Sequence, residues 1–416
     1  MLLVLGVIEG GACGVLFLMG PPPEAGFQFR EVWRHGENPF HVPDRRLFWT
    51  PVPGFREGEI AINASGFRGP DPATVKPADT FRVVLLGNSV TFGFRTREAD
   101  SYAHRLAEQL QGLPLRHEDR ACSRIEVINA GVVGYTSWQG RVLYEERIRE
   151  LEPDLVIAAF GYNDHHSASE CDRERQTSAV LDAVRKTGLF RLVHRLRSGP
   201  PADLQQAPVP RVSLQDYREN ILAIQEAVRA DGADGLFLTI AIRPGVPLVE
   251  NFREVVIEGR RVWMRQIDVA LGALGPGSRE ILSRHFHGGA ALDGLADDPG
   301  LCRRIQQLSR QYPDLPVFPY LLASCLQSAG QNDAAREALR RVEGLDRERR
   351  ELEAYNDVLR TLDREGRIEV LDVARHFEAH REAPLFMDVI HPTPAGHELI
   401  ARVIAARIDE HYGVAE

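Results

Sequence analysis

From Phe81 onward the chain alternates between two textures. Short runs of branched apolar residues are separated by longer stretches in which apolar positions recur every three or four residues. The runs "FRVVLLG" (81–87), "RIEVINAG" (124–131), "DLVIAAFG" (154–161), "GLFLTIAI" (235–242) and "IEVLDV" (368–373) predict five strands. Between them, "SYAHRLAEQLQGL" (101–113), "SWQGRVLYEERIREL" (137–151) and "LQDYRENILAIQEAVRAD" (214–231) predict helices. Alternation of this kind defines an α/β protein with a parallel sheet and helices on both faces.

Two regions break the rhythm. The fifth strand arrives more than a hundred residues after the fourth, so residues 246–350 read as a helical insertion. Within it, "PYLLASCLQSAGQNDAAREALRRVEGLD" (319–346) carries Ala323, Gly330, Ala334 and Ala338 where a tetratricopeptide-type hairpin packs closely. One such unit cannot form a solenoid, so an ordinary helix pair lidding the sheet is the simpler expectation. Ahead of the first strand, residues 21–80 are rich in Pro, Gly and Arg and read as an extended arm ending in "INASGFRGPD" (62–71). Residues 1–20 are apolar except for Glu9 and are stopped by "PPPEAG".

That first segment suits a membrane span, which needs about 20 apolar residues. It lacks the basic start and small-residue cleavage site of a signal peptide. "GGAC" before Cys13 matches a lipoprotein box only in part, because Gly10 stands where a large aliphatic residue belongs. The expectation is a signal anchor contacting the membrane, with the remaining chain extracytoplasmic, in the periplasm or at the cell surface. A buried helix or strand pair is the alternative. The domains then run 1–20 (anchor), 21–80 (arm), 81–245 with 351–416 (α/β domain) and 246–350 (insertion).

Bulk charge narrows the partners. The 416 residues carry a formal net charge of -9 and a pI near 5.9, which gives no support for nucleic-acid binding. The basic stretch "RRVEGLDRERRELE" (340–353) is interleaved with acids and reads as a solvated helix face. The five cysteines show no CxxC pair and no metal-ligand spacing, and their odd, scattered count defines no disulfide framework.

The informative positions are the strand ends. The first strand closes on Gly87-Asn88-Ser89, the second runs into "NAGVVGYTS" with Gly134, and the third ends in "FGYNDHH" with Asn163 and Asp164. Beyond the fifth lies "MDVIHPTPAGHELIA", with Asp388 and His391. A parallel sheet gathers these loops at one edge, where open α/β sheets build their sites. Serine is a weak nucleophile until an adjacent base takes its proton, a task for His391. Asp388 is placed to orient that imidazole and stabilise it once protonated. The backbone N–H groups of Ser89 and Gly134 and the Asn163 amide supply three oxyanion donors.

Singly, each feature has a bland reading. Gly-Asn-Ser makes a turn, "YND" an Asx cap, and "HPTPAGH" a proline turn entering a last helix with His397 on its surface. Their joint order at one sheet edge favours catalysis. His165 and His166 follow the third strand and line the site. His285 and His287 lack a third ligand for a metal, and His376 and His380 read as a polar helix end. The loop 87–93 has no Walker lysine, and Gly-x-Ser-x-Gly is absent, which argues against nucleotide binding and against an α/β-hydrolase. The chemistry calls for no cofactor and no metal.

The order Ser89 in "GNSVT", Gly134 in "NAGVVGYT", Asn163 in "GYND", and Asp388 with His391 in "DVIHP" resembles the SGNH (GDSL-type) hydrolase family. The arm ending "INASGFRGPD" resembles that of members with an N-terminal apolar anchor. The resemblance covers about 81–245 and 351–416. It implies a flavodoxin-like three-layer α/β/α sandwich with sheet order 2-1-3-4-5, and esterase, lipase or acyltransferase chemistry through an acyl-serine. Two positions depart from the family pattern. Asn88 replaces the Asp of the family name, and Tyr135 replaces the aspartate common after the second-block glycine, a change expected to alter local bonding and access. The substrate is then an acylated small molecule, lipid or carbohydrate. Release of the acyl group to water, as in an esterase, or to a carbohydrate hydroxyl, as in an O-acyltransferase, shares one first half-reaction. A non-catalytic scaffold binding a protein partner through 246–350 is the rival outside enzymes.

Overall fold

Successive residues of the first sheet strand enter two different cores. β1 (Thr80–Gly87) sends Phe81, Val83 and Leu85 into one and Val84 and Leu86 into the other, all fully buried. A strand dry on both faces needs helices on both sides. In the computed structural model, β2 (Arg124–Gly131), β3 (Leu155–Ala159), β4 (Asp234–Leu238) and β5 (Glu369–Leu371) complete a parallel sheet in the order β2-β1-β3-β4-β5. This is the expected 2-1-3-4-5 sandwich. The structure describes residues 40–168, 170–175, 208–248, 252–257, 260–275, 299–381 and 383–414. The expected anchor, residues 1–20, and the pair His285 and His287 lie outside them. Among the described residues no helix is long and apolar enough to cross a membrane.

The helices follow from their apolar stripes. After the short α1 (Ser89–Phe92), α2 (Tyr102–Leu110) buries Tyr102, Leu106 and Leu110 on one sheet face. On the opposite face α3 (Ser137–Leu143), α4 (Leu214–Ala230) and α5 (Arg347–Arg364) bury Val142, Ile221 and Leu359. α6 (Val373–Ala379) and α7 (Pro394–Tyr412) join α2, with Phe377, Ile404 and Ile408 in its core. Each such fully buried side chain contributes about 1.5–3 kcal/mol relative to exposure.

Where boundaries differ from expectation, a local bond explains it. β3 stops at Ala159 because Gly161 turns at φ +130 and the Phe160 carbonyl accepts the Tyr217 hydroxyl at 3.0 Å. β4 stops at Leu238, and the backbone of Ile240 pairs with the Asn356 side chain instead of a strand (2.8 and 3.0 Å). The helix expected over 137–151 is α-helical only to Leu143. It then widens to a π-turn over Tyr144–Ile148 and tightens over Arg149–Leu151.

The arm is more ordered than its composition suggests. Strands His41–Asp44 and Phe48–Pro51 form an antiparallel hairpin. Between β4 and β5 lie a second hairpin (Phe252–Ile257 with Arg260–Arg265) and helices Gln266–Leu274, Pro299–Gln311, Val317–Ser328 and Asn332–Leu345. These helices share their own apolar core, including Ile267, Ile305, Phe318 and Leu321. Cys302 and Cys325 form a disulfide between two of them. Cysteine spacing concealed this pair, because the two residues meet only through helix packing.

Candidate active site

The turn that carries Ser89 is built by close approach. A Cβ on Gly87 would sit 2.1 Å from Thr91 Oγ1, and one on Gly131 would sit 2.4 Å from the Phe92 nitrogen. Glycine at both strand ends therefore lets α1 press onto the sheet edge. Asn88 caps that helix, its side-chain oxygen accepting the Val90 N–H at 3.0 Å. Asn88, where the family this sequence resembles has Asp, thus still supplies a capping acceptor. Gly93, at φ +78, ends the helix by donating to the Ser89 and Val90 carbonyls.

The loop before α7 carries the other two groups. Met387 N–H donates to the His391 carbonyl (2.8 Å) and Thr393 N–H to the Leu385 carbonyl (2.9 Å), closing the loop. Thr393 caps α7, with Pro394 at its first turn. "HPTPAGH" is therefore both a helix entry and a carrier of the site. His397, expected on the helix surface, is instead completely buried, because this face of α7 packs on Tyr102 of α2.

The two loops meet across 302 positions of sequence. Ser89 Oγ–H donates to His391 Nε2 at 3.0 Å, and His391 Nδ1–H donates to Asp388 Oδ2 at 2.8 Å. An ionised carboxylate only accepts, which assigns the proton to Nδ1 and leaves Nε2 as the acceptor of the Ser89 hydroxyl. Burial pushes the Asp388 carboxyl up, but hydrogen bonds from the His391 ring and from the His391 and Ile390 backbone outweigh it and hold it below the usual range. Arg95 lies 3.5 Å from the same carboxylate, and the Phe94 ring flanks His391.

Gly134 sits at φ +82, where only glycine is unstrained. Among the described residues, neither the Ser89 N–H nor the Gly134 N–H has a protein acceptor. Asn163 is buried and donates one amide hydrogen to the Tyr135 carbonyl at 3.0 Å. Asp164, next in sequence, accepts Ser137 N–H (2.9 Å), Ser137 Oγ–H (2.5 Å) and Gly161 N–H (3.0 Å). Burial pushes its carboxyl up to about 6 against those bonds. It ties the Asn163 loop to the start of α3. His165 and His166, expected to line the site, meet the Tyr162 ring at tilted and edge-on angles, and the His165 Nδ1 pairs with the Tyr162 carbonyl.

Four supporting residues escape sequence reading. Arg68, in the arm's "GFRG", is buried and donates to the carbonyls of Phe92 (2.7 Å), Gly93 (2.5 Å) and Thr96 (2.6 Å). Trp49 donates its indole N–H to the Val133 carbonyl at 3.0 Å. Arg211 and Asp172 form a buried ion pair (2.8 Å), and Arg211 also donates to the Gly134 carbonyl at 2.8 Å. Only the arm's terminal stretch gave any signal, through its resemblance to anchored family members.

The sheet order and the Ser89–His391–Asp388 geometry are those of a serine hydrolase acting on ester bonds. In sequence, residues 85–253 match the model of the GDSL-like Lipase/Acylhydrolase family. Among solved structures the chain is similar to a catalytic mutant of the acetylxylan esterase from Geobacillus stearothermophilus (13% identity, 80% of this chain and 97% of that one, TM-score 0.38). It is also similar to the lipase/acylhydrolase from Enterococcus faecalis (13% identity, 80% and 98%, TM-score 0.34). No curated protein matches the chain.

Proposed function

We propose that the protein is an extracytoplasmic esterase that cleaves acyl esters, O-acetyl esters included, through an acyl-Ser89 intermediate. The observation that carries the reading is the continuous Ser89–His391–Asp388 hydrogen-bond chain, with links of 3.0 and 2.8 Å. Ser89 Oγ attacks the ester carbonyl as its proton passes to His391 Nε2. Asp388 holds the imidazole in its tautomer and stabilises the imidazolium. The Ser89 and Gly134 N–H groups and the second Asn163 amide hydrogen take the oxyanion. The C–O bond to the alcohol then breaks, the alcohol leaving with the His391 proton. Water, deprotonated by His391, attacks the acyl-serine and releases the acid and free Ser89.

The disulfide Cys302–Cys325 supports a location in an oxidising compartment, as does the apolar segment 1–20. The test offers p-nitrophenyl esters of two and eight carbons to wild type, Ser89→Ala and His391→Ala, with fluorophosphonate labelling read by mass spectrometry. Turnover and a label on Ser89, both lost in Ser89→Ala, are the expected result. A folded wild-type protein with neither rejects the esterase.

A further inference from the structure

The Gly134 N–H can serve as an oxyanion donor only if its peptide is held at the right angle, and glycine is the residue least able to hold itself. At φ +82 Gly134 has no side chain to lock it, and the donor belongs to the peptide it shares with Val133. That unit is planar and trans, so its C=O and N–H point in opposite directions. Fixing the carbonyl therefore fixes the N–H.

The carbonyl is fixed from the arm. Trp49 Nε1–H donates to the Val133 oxygen at 3.0 Å in a buried position. Trp49 is itself gripped by the same loop, since the Tyr135 hydroxyl donates to the Trp49 carbonyl at 2.6 Å and the two rings meet edge-on at 5.8 Å. The following peptide is pinned independently, Arg211 donating to the Gly134 carbonyl at 2.8 Å. The residues on either side of the flexible glycine are thus bracketed by the Trp49–Tyr135 exchange. Tyr135 is the residue that stands in place of the family's aspartate, so this bracket belongs to this chain's own sequence.

We propose that Trp49 is a positioning residue for the oxyanion hole: by binding the Val133 carbonyl, the N-terminal arm sets the direction of the Gly134 N–H. The inference rests on the acyl-serine reading above. Since complete loss of one oxyanion donor lowers kcat by about 10²–10³-fold, a donor present but misaimed should lose about tenfold.

The experiment uses the full chain and Trp49→Phe, which removes the indole N–H while keeping an aromatic ring and the backbone carbonyl that Tyr135 binds. Expected are a fall of about tenfold in kcat with KM within about twofold, and an equal fall in affinity for an alkyl boronic acid, whose tetrahedral adduct needs the donors. The pH–rate profile should keep its shape, because His391 and Asp388 are untouched. Leu47→Ala, a neighbouring core truncation in the same arm, controls for destabilisation and should leave kcat and boronate affinity unchanged at temperatures where it is folded. Trp49→Phe with kcat and boronate affinity within about twofold of wild type overturns the proposal. If that variant does not fold, Tyr135→Phe is read by the same criteria, since it releases the other half of the bracket. An inactive wild type instead rejects the esterase reading, and the proposal with it. The two failures are separated by the wild-type assay alone.

Discussion

His397 makes the sharpest stability prediction. It lies on α7 with no exposed surface, its Nδ1 accepting the Tyr102 N–H at 3.3 Å and its Nε2, among the described residues, without a hydrogen-bond partner. Burial, with a smaller electrostatic contribution from Arg68, pushes its pKa down to about 3. The unfolded chain takes up this proton near pH 6.5, the folded protein only near pH 3. Between those values the unfolded state binds one proton more, so stability present above pH 6.5 is lost on acidification. From pH 7 to pH 5 the loss attributable to this one group is about 2 kcal/mol. The figure holds for any folded value below about 4, because pH 5 then lies on the linear part of the curve. The perturbation is His397→Asn, which cannot titrate but keeps an acceptor near the Tyr102 N–H. Urea unfolding of both proteins at pH 7 and pH 5, followed by circular dichroism and tryptophan fluorescence, reads the difference. The variant should start less stable through lost volume, yet wild type should lose about 2 kcal/mol more between the two pH values. His41 and His165, also buried and depressed to about 3 and about 4, titrate identically in both and cancel. Equal losses in the two proteins would refute the reasoning.

The site and the disulfide give three further expectations. Asp388→Asn keeps the acceptor for the Ile390 and His391 N–H groups but presents an amide to His391 Nδ1, so kcat should fall by about 10⁴ through the wrong tautomer, with the fold intact by circular dichroism. Asn163→Ala should lower kcat by about 10²–10³ while Ser89 remains labelled by fluorophosphonate at a reduced rate; unchanged kcat removes Asn163 from the oxyanion hole. Replacing both Cys302 and Cys325 by Ser opens a link spanning 23 residues, which should destabilise the helices between β4 and β5 by about 3 kcal/mol, read as faster hydrogen exchange in Pro299–Ser328. Val389, between Asp388 and Ile390, packs against that same helical core.

The fold was legible because the central strands β1 and β3 are buried along their whole length. Both cores draw on consecutive residues of β1, so the strands appear as mainly apolar runs flanked by helical periodicity. The site was legible for a different reason: each role admits few residue types. A hydroxyl paired with an imidazole, and a glycine where φ is +82, leave little choice at Ser89, His391 and Gly134. Strand ends were less legible. At Ile240 an asparagine 116 residues away replaces the neighbouring strand as hydrogen-bond partner, and no local pattern encodes that.

The residues that hold the site in shape were hidden by the same logic. Arg68 looks like a solvated arginine in a Pro- and Gly-rich arm, yet its guanidinium donates to three backbone carbonyls just after the turn that carries Ser89. A carbonyl accepts from any donor, so binding one leaves no recognisable spacing in the sequence. Arg211 and Asp172 are equally silent, paired across 39 residues and joined to the Gly134 loop through a carbonyl. The glycines that let a substrate reach the backbone deprive the loops of stiffness, and that stiffness must come from elsewhere in the chain. The arm and the Arg211–Asp172 pair supply it, through contacts between residues far apart in sequence, 84 residues for Trp49 to Val133 and 86 for Tyr135 to Trp49.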